Sequence, residues 1–200
     1  QRELLADAAG WRLLALLFEC PTAAWHDQVA ALAAEPADPD LRAAAAAAQS
    51  EASEGVYHSI FGPGGPAPPR EVSHRRLVEF GGLLSELQAH YDAFAYQPRT
   101  LEPADHISVE AGFIAYLRLK EAYALACDDT EHAAITAEAA QRFLDDHLAA
   151  IATPLAAALA GCGFRYLECA AKALHCRVPE SAPALPSLPE TEAFCCPDSA

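Results

Sequence analysis

The chain has 200 residues, 52% of them hydrophobic, and its formal net charge at pH 7 is −15. This charge argues against a protein that binds nucleic acid, because such a protein gathers Lys and Arg side chains on one face. No stretch of roughly 18 apolar residues without charge is present, so the sequence predicts no membrane span. Abundant Ala, Leu, Glu and Arg, with few strand formers, predict an all-α fold.

Apolar residues recur at helical spacing along most of the chain, and Pro or Gly separates the periodic segments. The pattern predicts helices over residues 2–19, 23–34, 41–54, 73–95, 106–127, 128–160 (one helix or two) and 164–178. Residues 62–73 are dense in Gly and Pro, so we expect an irregular loop there. We therefore predict a single-domain helical bundle over residues 1–178 and a flexible, Pro-rich tail over residues 179–200.

Several residues are expected to begin or interrupt these helices. Asp40, Ser73 and Thr130 are predicted N-caps, because their side-chain oxygens can accept from the amides of a first turn. Gly81–Gly82 would then lie in mid-helix, which predicts a closely packed neighbouring helix or a bend. Pro154 predicts a bend or a new helix start.

The seven cysteines are an odd number and do not resemble the disulfide framework of a secreted protein. The first residues also lack a basic region followed by a signal-type apolar run, so we expect a cytoplasmic protein. Cys162, Cys169 and Cys176 recur every seven residues, near one stripe of one helix, and are predicted to be small buried thiols. For the Cys195–Cys196 pair in the tail we predict no function.

An Asp-His pair at residues 105 and 106 stands directly before a long apolar segment. Phosphate-loop and hydrolase motifs are absent, and neighbours on a helix point about 100° apart, so the pair is not a catalytic dyad. Local chemistry favours Asp105 as the N-cap, accepting from the amide of residue 107 or 108, with His106 exposed and neutral in the first turn. His106 and Glu110 also have the i, i+4 spacing of metal ligands, although the sequence announces no third ligand.

The segment EPADHISVEAGFIAYL, residues 102–117, resembles the signature of the maturation chaperones of molybdenum oxidoreductases, the TorD/DmsD/NarJ-like family. The matching positions are Glu102, Pro103, Asp105, His106, Ile107, Glu110, Phe113 and Leu117. A second stretch, YHSIFGPGGPAPPREVSH, is similar to another region of the family, with matches at Tyr57, Phe61, Gly62, Pro63, Pro69 and Glu71. In this stretch Arg70 stands where the family often has an aromatic residue. A third, shorter match lies at Phe143, His147 and Leu148, and Ile151 replaces a Trp there.

The resemblance implies a TorD-like all-helical domain that is not an enzyme. It implies binding of the twin-arginine signal peptide of a molybdenum oxidoreductase, whose apo-form is held in the cytoplasm until the molybdenum cofactor is loaded. The implied partners are the apo-molybdoenzyme catalytic subunit and its leader peptide, with molybdenum-cofactor biosynthesis proteins as further candidates. No nucleic acid, metal or resident cofactor is expected, and both a monomer and a homodimer are compatible with the sequence.

The resemblance assigns client binding to one set of residues: Asp105, His106, Glu102, Pro103, Glu110, Tyr57, Phe61, Gly62 and Glu71. Asp105 would fix the start of the helix and offer a carboxylate to the basic part of the peptide, and His106 would be presented beside it. Two other functions stay open. One is a stably bound structural subunit of an oxidoreductase, and the other is a helical metal- or haem-binding protein that uses His106, Glu110, His147 or His90.

Overall fold

The computed structural model describes residues 1–75 and 79–178, which form α-helices joined by short loops. The helices are α1 (Arg2–Leu17), α2 (Trp25–Leu32), α3 (Pro39–Glu51), α4 (Glu54–Phe61), α5 (Phe80–Ala93), α6 (Ile107–Ala126), α7 (Thr130–Phe143), α8 (Ala149–Leu159) and α9 (Arg165–Arg177). A 3₁₀ turn (Glu71–Ser73) precedes α5, and a π-helical turn (Leu144–Leu148) joins α7 to α8. Within the described residues no strand occurs, and the predicted all-α fold is confirmed.

Helix α6 lies at the centre of the fold, where α1 and α7 pack against it. Its sequence is apolar around most of its circumference, as is typical of a helix surrounded by other elements. Ile107, Phe113 and Leu117 are completely buried along its length. Because residues 107–115 of α6 are all buried, the core of the protein positions the side chains at its N-terminus.

An aromatic cluster fixes α5 against α6 and α7. The rings of Tyr91 and Phe113 meet edge to face with centroids 4.9 Å apart, and Phe113 and Phe143 do the same at 4.8 Å. Such edge-to-face pairs add to the stabilisation that comes from burying the rings. The cluster therefore sets the position of the π-helical turn that follows Phe143.

Helix α3 begins earlier than the sequence predicted. Asp38 caps the helix, because its Oδ1 accepts from the amides of Asp40 and Leu41 at 2.9 and 3.3 Å. Pro39 occupies the first helical position, for which its fixed φ is pre-shaped. The prediction of Asp40 as the cap is therefore wrong, and this side chain pairs with Lys172 at 2.9 Å instead.

The structure also corrects the predicted cap of α7 and the predicted helix start at Pro154 in α8. Asp129, not Thr130, caps α7, since its carboxylate accepts from the amide of His132 at 3.1 Å. Helix α8 continues through Pro154, so no new helix starts there. The irregularity lies about two turns earlier, in the π-helical turn Leu144–Leu148.

The helix that follows the Gly-Pro loop begins later than predicted. Ser73 ends the 3₁₀ turn and caps nothing, and α5 starts at Phe80. Gly81–Gly82 therefore lie in the exposed first turn, and an added Cβ at either position would meet only Glu79 atoms, at 4.0 Å. Neither a closely packed helix nor a bend at these glycines is needed.

The sequence analysis placed the end of α3 at residue 54, near its observed end at Glu51, but did not predict the short helix α4 that follows. The Ser53 Oγ accepts from the amide of Val56 at 3.2 Å and so caps the short helix α4. Gly55 stands in the first turn of α4 and made the segment look irregular in the sequence, and the helix is too short for its apolar period to reveal it. Helix α4 brings Tyr57 and Phe61 into the core, where the Phe61 ring lies 6.2 Å from that of Phe18.

The three cysteines spaced by seven do not share one helix. Cys162 lies in the turn before α9, between Gly161 and Gly163, whose φ angles of 74° and 83° require glycine. Cys169 and Cys176 lie on α9, and Cys176 is exposed while the other two are half-buried. The prediction of three buried thiols on one stripe is therefore wrong.

The predicted tail, residues 179–200, and its Cys195–Cys196 pair lie outside the described residues. Among the helices that are described, none is both long and apolar enough to cross a membrane.

Candidate functional site

His106, rather than Asp105, caps helix α6. Its Nδ1 accepts from the amide of Ser108 at 3.2 Å, and the Ser108 hydroxyl lies 2.7 Å from the same nitrogen. The His106 side chain is buried, with 1% exposure. The prediction of an exposed His106 behind an Asp105 cap is wrong, because the helix starts at Ile107 and an imidazole nitrogen can serve as the acceptor of a cap.

A hydrogen-bonded group links His106 to Tyr57 of α4 and to Glu102 in the preceding loop. The Tyr57 hydroxyl donates to Glu102 Oε1 at 2.8 Å and lies 3.2 Å from His106 Nε2. Because Nδ1 accepts from Ser108, the proton of the neutral ring is assigned to Nε2, which donates to the Tyr57 oxygen. Burial lowers the pKa of His106 to about 4, against the opposing charges of Glu102 and Asp105. The ring is therefore neutral at pH 7, and the group holds Glu102 in place.

Asp105 is buried in an ion pair with Arg70. Its Oδ1 accepts from the Nε and the terminal nitrogen of Arg70 at 2.9 and 2.7 Å. The backbone of residues 69–71 also pairs with that of residues 105–107. The Glu71 amide donates to the Asp105 carbonyl at 2.8 Å, and the Ile107 amide donates to the Pro69 carbonyl at 2.9 Å. This isolated antiparallel bridge fastens the end of the Gly-Pro loop to the start of α6. The carboxylate is thus engaged inside the protein, where no part of its side chain is exposed, and contact between Asp105 and a peptide stays a prediction.

The buried carboxylate of Glu71 holds the end of the Gly-Pro loop in place. This carboxylate lies 3.2 Å from His147 Nδ1 and accepts from Arg75 Nε at 2.5 Å. Burial opposes the ionisation of Glu71, but the contacts with His147 and Arg75 outweigh it and hold its pKa below the usual value. An ionised Glu71 therefore ties the loop to the π-helical turn.

Glu110 is completely buried one turn into α6, close to Glu71. Burial first, and the neighbouring Glu71 charge second, raise the pKa of Glu110 well above its usual value. The side chain therefore carries a proton at neutral pH, and neither of its buried oxygens has a hydrogen-bond partner. The i, i+4 pair of His106 and Glu110 does not converge on a metal position, because both His106 nitrogens already have partners.

The remaining residues assigned by the resemblance shape the loops around this network. Phe61 packs against Tyr57, with ring centroids 5.3 Å apart. An added Cβ at Gly62 would lie 2.3 Å from the His58 carbonyl oxygen, so only glycine fits where α4 ends. The Pro103 carbonyl accepts from the His106 amide at 3.0 Å and closes the turn before α6. These residues position the network and do not present groups of their own.

Two adjoining clefts lie beside this network, along α1 and the loop between α5 and α6. Their volumes are about 730 and 710 Å³, and both are lined by Arg12 and Arg99, so that together they form one groove. The first cleft is mainly apolar, with walls that include Leu5, Ala8, Ala115, Tyr116 and Leu119. The second cleft contains the carboxylates of Glu19 and Glu102 beside the guanidinium groups of Arg12 and Arg99, which it shares with the first cleft. We call the whole the α1 groove, with an apolar end and an acidic end.

Glu102 is the residue that joins the sequence motif to the α1 groove. It lines the acidic end, while Tyr57 and His106 hold it from beneath. Glu19 faces the same cleft and accepts from Arg12 at 3.2 Å. Burial raises the pKa of Glu19, Arg12 opposes this rise, and the charge of Glu102 adds to it. The two carboxylates therefore repel each other across the cleft.

Sequence reasoning missed Arg70, Arg12 and Glu19 as parts of this region. Arg70 was noticed only as a departure from the family pattern, yet its guanidinium neutralises Asp105. Arg12 lies in the second half of α1, and Glu19 follows two residues after the helix ends at Leu17. Two opposite charges on either side of the apolar run 13–18, seven residues apart, were the available signal for a groove.

The family model of the nitrate reductase delta subunit matches residues 23–157. This match covers more than half of the chain, which therefore belongs to that family of molybdoenzyme maturation chaperones. The resemblance seen in the sequence motifs is confirmed, and with it the TorD-like type of fold. Membership implies an interaction with the catalytic subunit of a molybdoenzyme. No curated protein and no solved structure matches the chain at a significant level.

Proposed function

We propose that this protein binds the twin-arginine leader peptide of a molybdenum oxidoreductase and holds the apo-form of its catalytic subunit for cofactor insertion. The supporting observation is the α1 groove, which has two partly exposed carboxylates at one end and exposed leucines at the other, with Arg12 and Arg99 lining both. A leader peptide has the matching order of chemistry, because a basic segment precedes an apolar stretch. Holding a client before its export or assembly requires the protein to act on the cytoplasmic side of the membrane.

The acidic end suits a guanidinium group. The side chains of Glu19 and Glu102 are 19% and 26% exposed, so they are partly withdrawn from water yet reachable. Charge-assisted hydrogen bonds between Arg and carboxylates are short and often bidentate, and partial burial reduces their screening. A bound Arg would also relieve the repulsion between the two carboxylates. The net charge of −15 adds long-range attraction for a basic segment.

The apolar end suits the apolar stretch of the leader. Leu5 of α1 and Leu119 of α6 are 45% and 52% exposed on its walls. Covering apolar surface of this kind is favourable by about 25 cal/mol per Å². An amphipathic segment laid into such a groove would use its apolar side chains as anchors.

The Asp-His motif supports peptide binding indirectly, because it lies beneath the groove and positions a groove residue and a loop. His106 and Tyr57 fix Glu102, and Asp105 fixes the Gly-Pro loop through Arg70. We therefore assign Asp105 and His106 as positioning residues, and Glu102 with Glu19 as the side chains that contact the peptide.

Calorimetric titration of the full chain with a leader peptide tests this proposal. The twin-arginine peptide should bind, and the same peptide with both Arg changed to Lys should bind more weakly, since Lys cannot make the bidentate contact. Glu102→Gln and Glu19→Gln should each weaken binding by about fivefold, the equivalent of about 1 kcal/mol for a partly exposed ion pair.

Glu138→Gln is the matched control, because Glu138 is an exposed carboxylate paired with Arg142 on α7, away from the groove. Its affinity for the peptide should equal that of the unaltered protein. Full affinity in the folded double variant Glu19→Gln, Glu102→Gln would contradict the assignment of the groove.

A further inference from the structure

We infer that Glu86, His90 and His147 form a binding site for a divalent transition-metal ion such as Zn²⁺. Glu86 and His90 lie one turn apart on α5, and His147 lies in the π-helical turn between α7 and α8. One carboxylate oxygen and two imidazole nitrogens, one atom from each residue, all lie within 4.8 Å of one another. This site lies outside the motif of residues 102–117 and outside the α1 groove.

The state of His147 is an independent indication that the site takes a ligand. Its ring is buried, and its Nε2 has no hydrogen-bond partner. Its Nδ1 lies 3.2 Å from a Glu71 carboxylate oxygen, so the neutral tautomer that makes this hydrogen bond has its proton on Nδ1 and its lone pair on Nε2. A buried acceptor without a partner is unfavourable and rare. A metal ion bound at Nε2 would use this lone pair.

The pairing of Glu71 with His147 is the arrangement that metal sites use to orient a histidine. A ligating imidazole commonly donates its other N–H to a carboxylate, which fixes the tautomer and raises the basicity of the ligand. Glu71 is itself held by Arg75. The hydrogen bond between His147 and Glu71 would thus connect the ion to the Gly-Pro loop. The end of this loop is fastened to the Asp-His motif by the bridge between Arg70 and His106.

The geometry needs little change to accommodate an ion. Zn²⁺ binds nitrogen at about 2.0–2.1 Å, so ligand atoms in a tetrahedral site lie about 3.4 Å apart. Glu86 is exposed and His90 half-buried, and rotation of these two side chains can shorten the separation from His147. The Phe143 ring, 4.6 Å from the His147 ring and 5.5 Å from the His90 ring, forms an apolar wall.

The ligand set selects the kind of ion. Two imidazoles and one carboxylate suit Zn²⁺ and its first-row neighbours, whereas Mg²⁺ and Ca²⁺ require oxygen ligands. Three protein ligands leave a fourth position for water at the exposed side of the site.

The test is titration of the full chain, first freed of metal, with Zn²⁺ against a chromophoric chelator, with Mg²⁺ as the comparison ion. We expect one Zn²⁺ per chain and no competition from Mg²⁺. His90→Gln and Glu86→Gln should each weaken Zn²⁺ binding tenfold or more, since loss of even an outer partner of a metal ligand costs about 10- to 100-fold. Glu86 is exposed and His90 is partly exposed, so these variants should fold.

His132→Gln is the matched control, because His132 and Asp129 also place an imidazole and a carboxylate 2.7 Å apart, but on an exposed surface without a third ligand. Its Zn²⁺ affinity should not change. Titration with Co²⁺ separates this site from the cysteines, because thiolate ligands add intense near-ultraviolet charge-transfer bands that nitrogen and oxygen ligands do not. Zn²⁺ affinity that is equal in His90→Gln and the unaltered chain, or a thiolate spectrum, would overturn the inference.

Discussion

The Tyr57 hydroxyl donates a 2.8 Å hydrogen bond to Glu102 Oε1 and so connects helix α4 to the acidic end of the α1 groove. The two residues are 45 positions apart in the sequence and belong to two different motif regions. His106 Nε2 contacts the same hydroxyl from the opposite side of the network, at 3.2 Å. The motif residues Tyr57 and His106 therefore together fix the orientation of the Glu102 carboxylate.

Replacement of Tyr57 with Phe should weaken leader binding while the fold is kept. The change removes one hydroxyl, which leaves Glu102 without its donor and costs about 1 kcal/mol of stability. Calorimetry should show a loss of peptide affinity of several-fold, and urea unfolding should give the stability. Tyr123→Phe is the control, since Tyr123 is 72% exposed and lies outside the groove. Equal affinity in Tyr57→Phe and the unaltered chain would show that Glu102 needs no support from α4.

The Asp105–Arg70 ion pair should respond unequally to loss of its two partners. Arg70→Ala leaves a completely buried carboxylate unpaired, which should cost about 3–5 kcal/mol in the free energy of unfolding. Asp105→Ala leaves a guanidinium that is 33% exposed and can turn to water, so its cost should be about 1–2 kcal/mol. Urea denaturation of both single variants and the double variant measures this. A greater cost for Asp105→Ala would contradict the burial argument.

The contrast between Asp105 and Arg70 shows which features of the site could be predicted from local sequence. An Asp before a helix is a good N-cap in isolation, and the prediction for Asp105 followed that rule. Arg70 lies 35 positions away, and only the folded chain brings it to Asp105. The helix boundaries were mostly predictable, because they follow from apolar period and breakers, while the partner of a buried charge depends on tertiary contacts.

His106 should make the protein lose stability on acidification. Its pKa is about 4 in the folded state, against 6.5 for the free group. Between these two pH values the unfolded chain binds more protons, so stability falls as pH falls from about 6.5 to about 4. In His106→Asn the side-chain oxygen can still cap α6 but does not titrate. The stability advantage of the unaltered chain over His106→Asn should therefore shrink by about 2–3 kcal/mol between pH 7 and pH 4.5.

The measurement is urea unfolding of both proteins at the two pH values. A constant difference would show that His106 is not held neutral by burial. The variant Asp129→Asn at the exposed start of α7 is a control for general effects of pH on a helix cap.

Glu110 should have the opposite dependence on pH. Its pKa is raised well above 4.5 in the folded state, so above pH 4.5 the folded chain binds more protons than the unfolded chain. Stability is then lost as pH rises toward the raised pKa, by up to about 1.4 kcal/mol per pH unit. Glu110→Gln copies the protonated form and removes this loss. The stability of Glu110→Gln relative to the unaltered chain should therefore increase between pH 5 and pH 8 in thermal or urea unfolding, and a decrease would contradict a protonated Glu110.

The burial of Glu71 and Glu110 could not be predicted from the sequence, for a physical reason. Glu110 occupies a helical position that sequence rules treat as a surface or ligand position, and Glu71 stands in a Gly-Pro loop. The burial of Glu71 is tolerated because Arg75 and His147 compensate for the loss of water, and that of Glu110 because its raised pKa keeps it uncharged. None of these partners is within three residues, so the spacing of the motif alone could not indicate them.

The measurement that tests the central claim most directly is photo-crosslinking between the full chain and a twin-arginine leader peptide. The peptide carries a photoreactive group in its apolar stretch, and mass spectrometry locates the attachment. We predict attachment at the apolar end of the α1 groove, at Leu5, Tyr116 or Leu119, and its loss when unlabelled leader competes. Competable attachment to another surface, such as the exposed Ile135 on α7, would contradict the account.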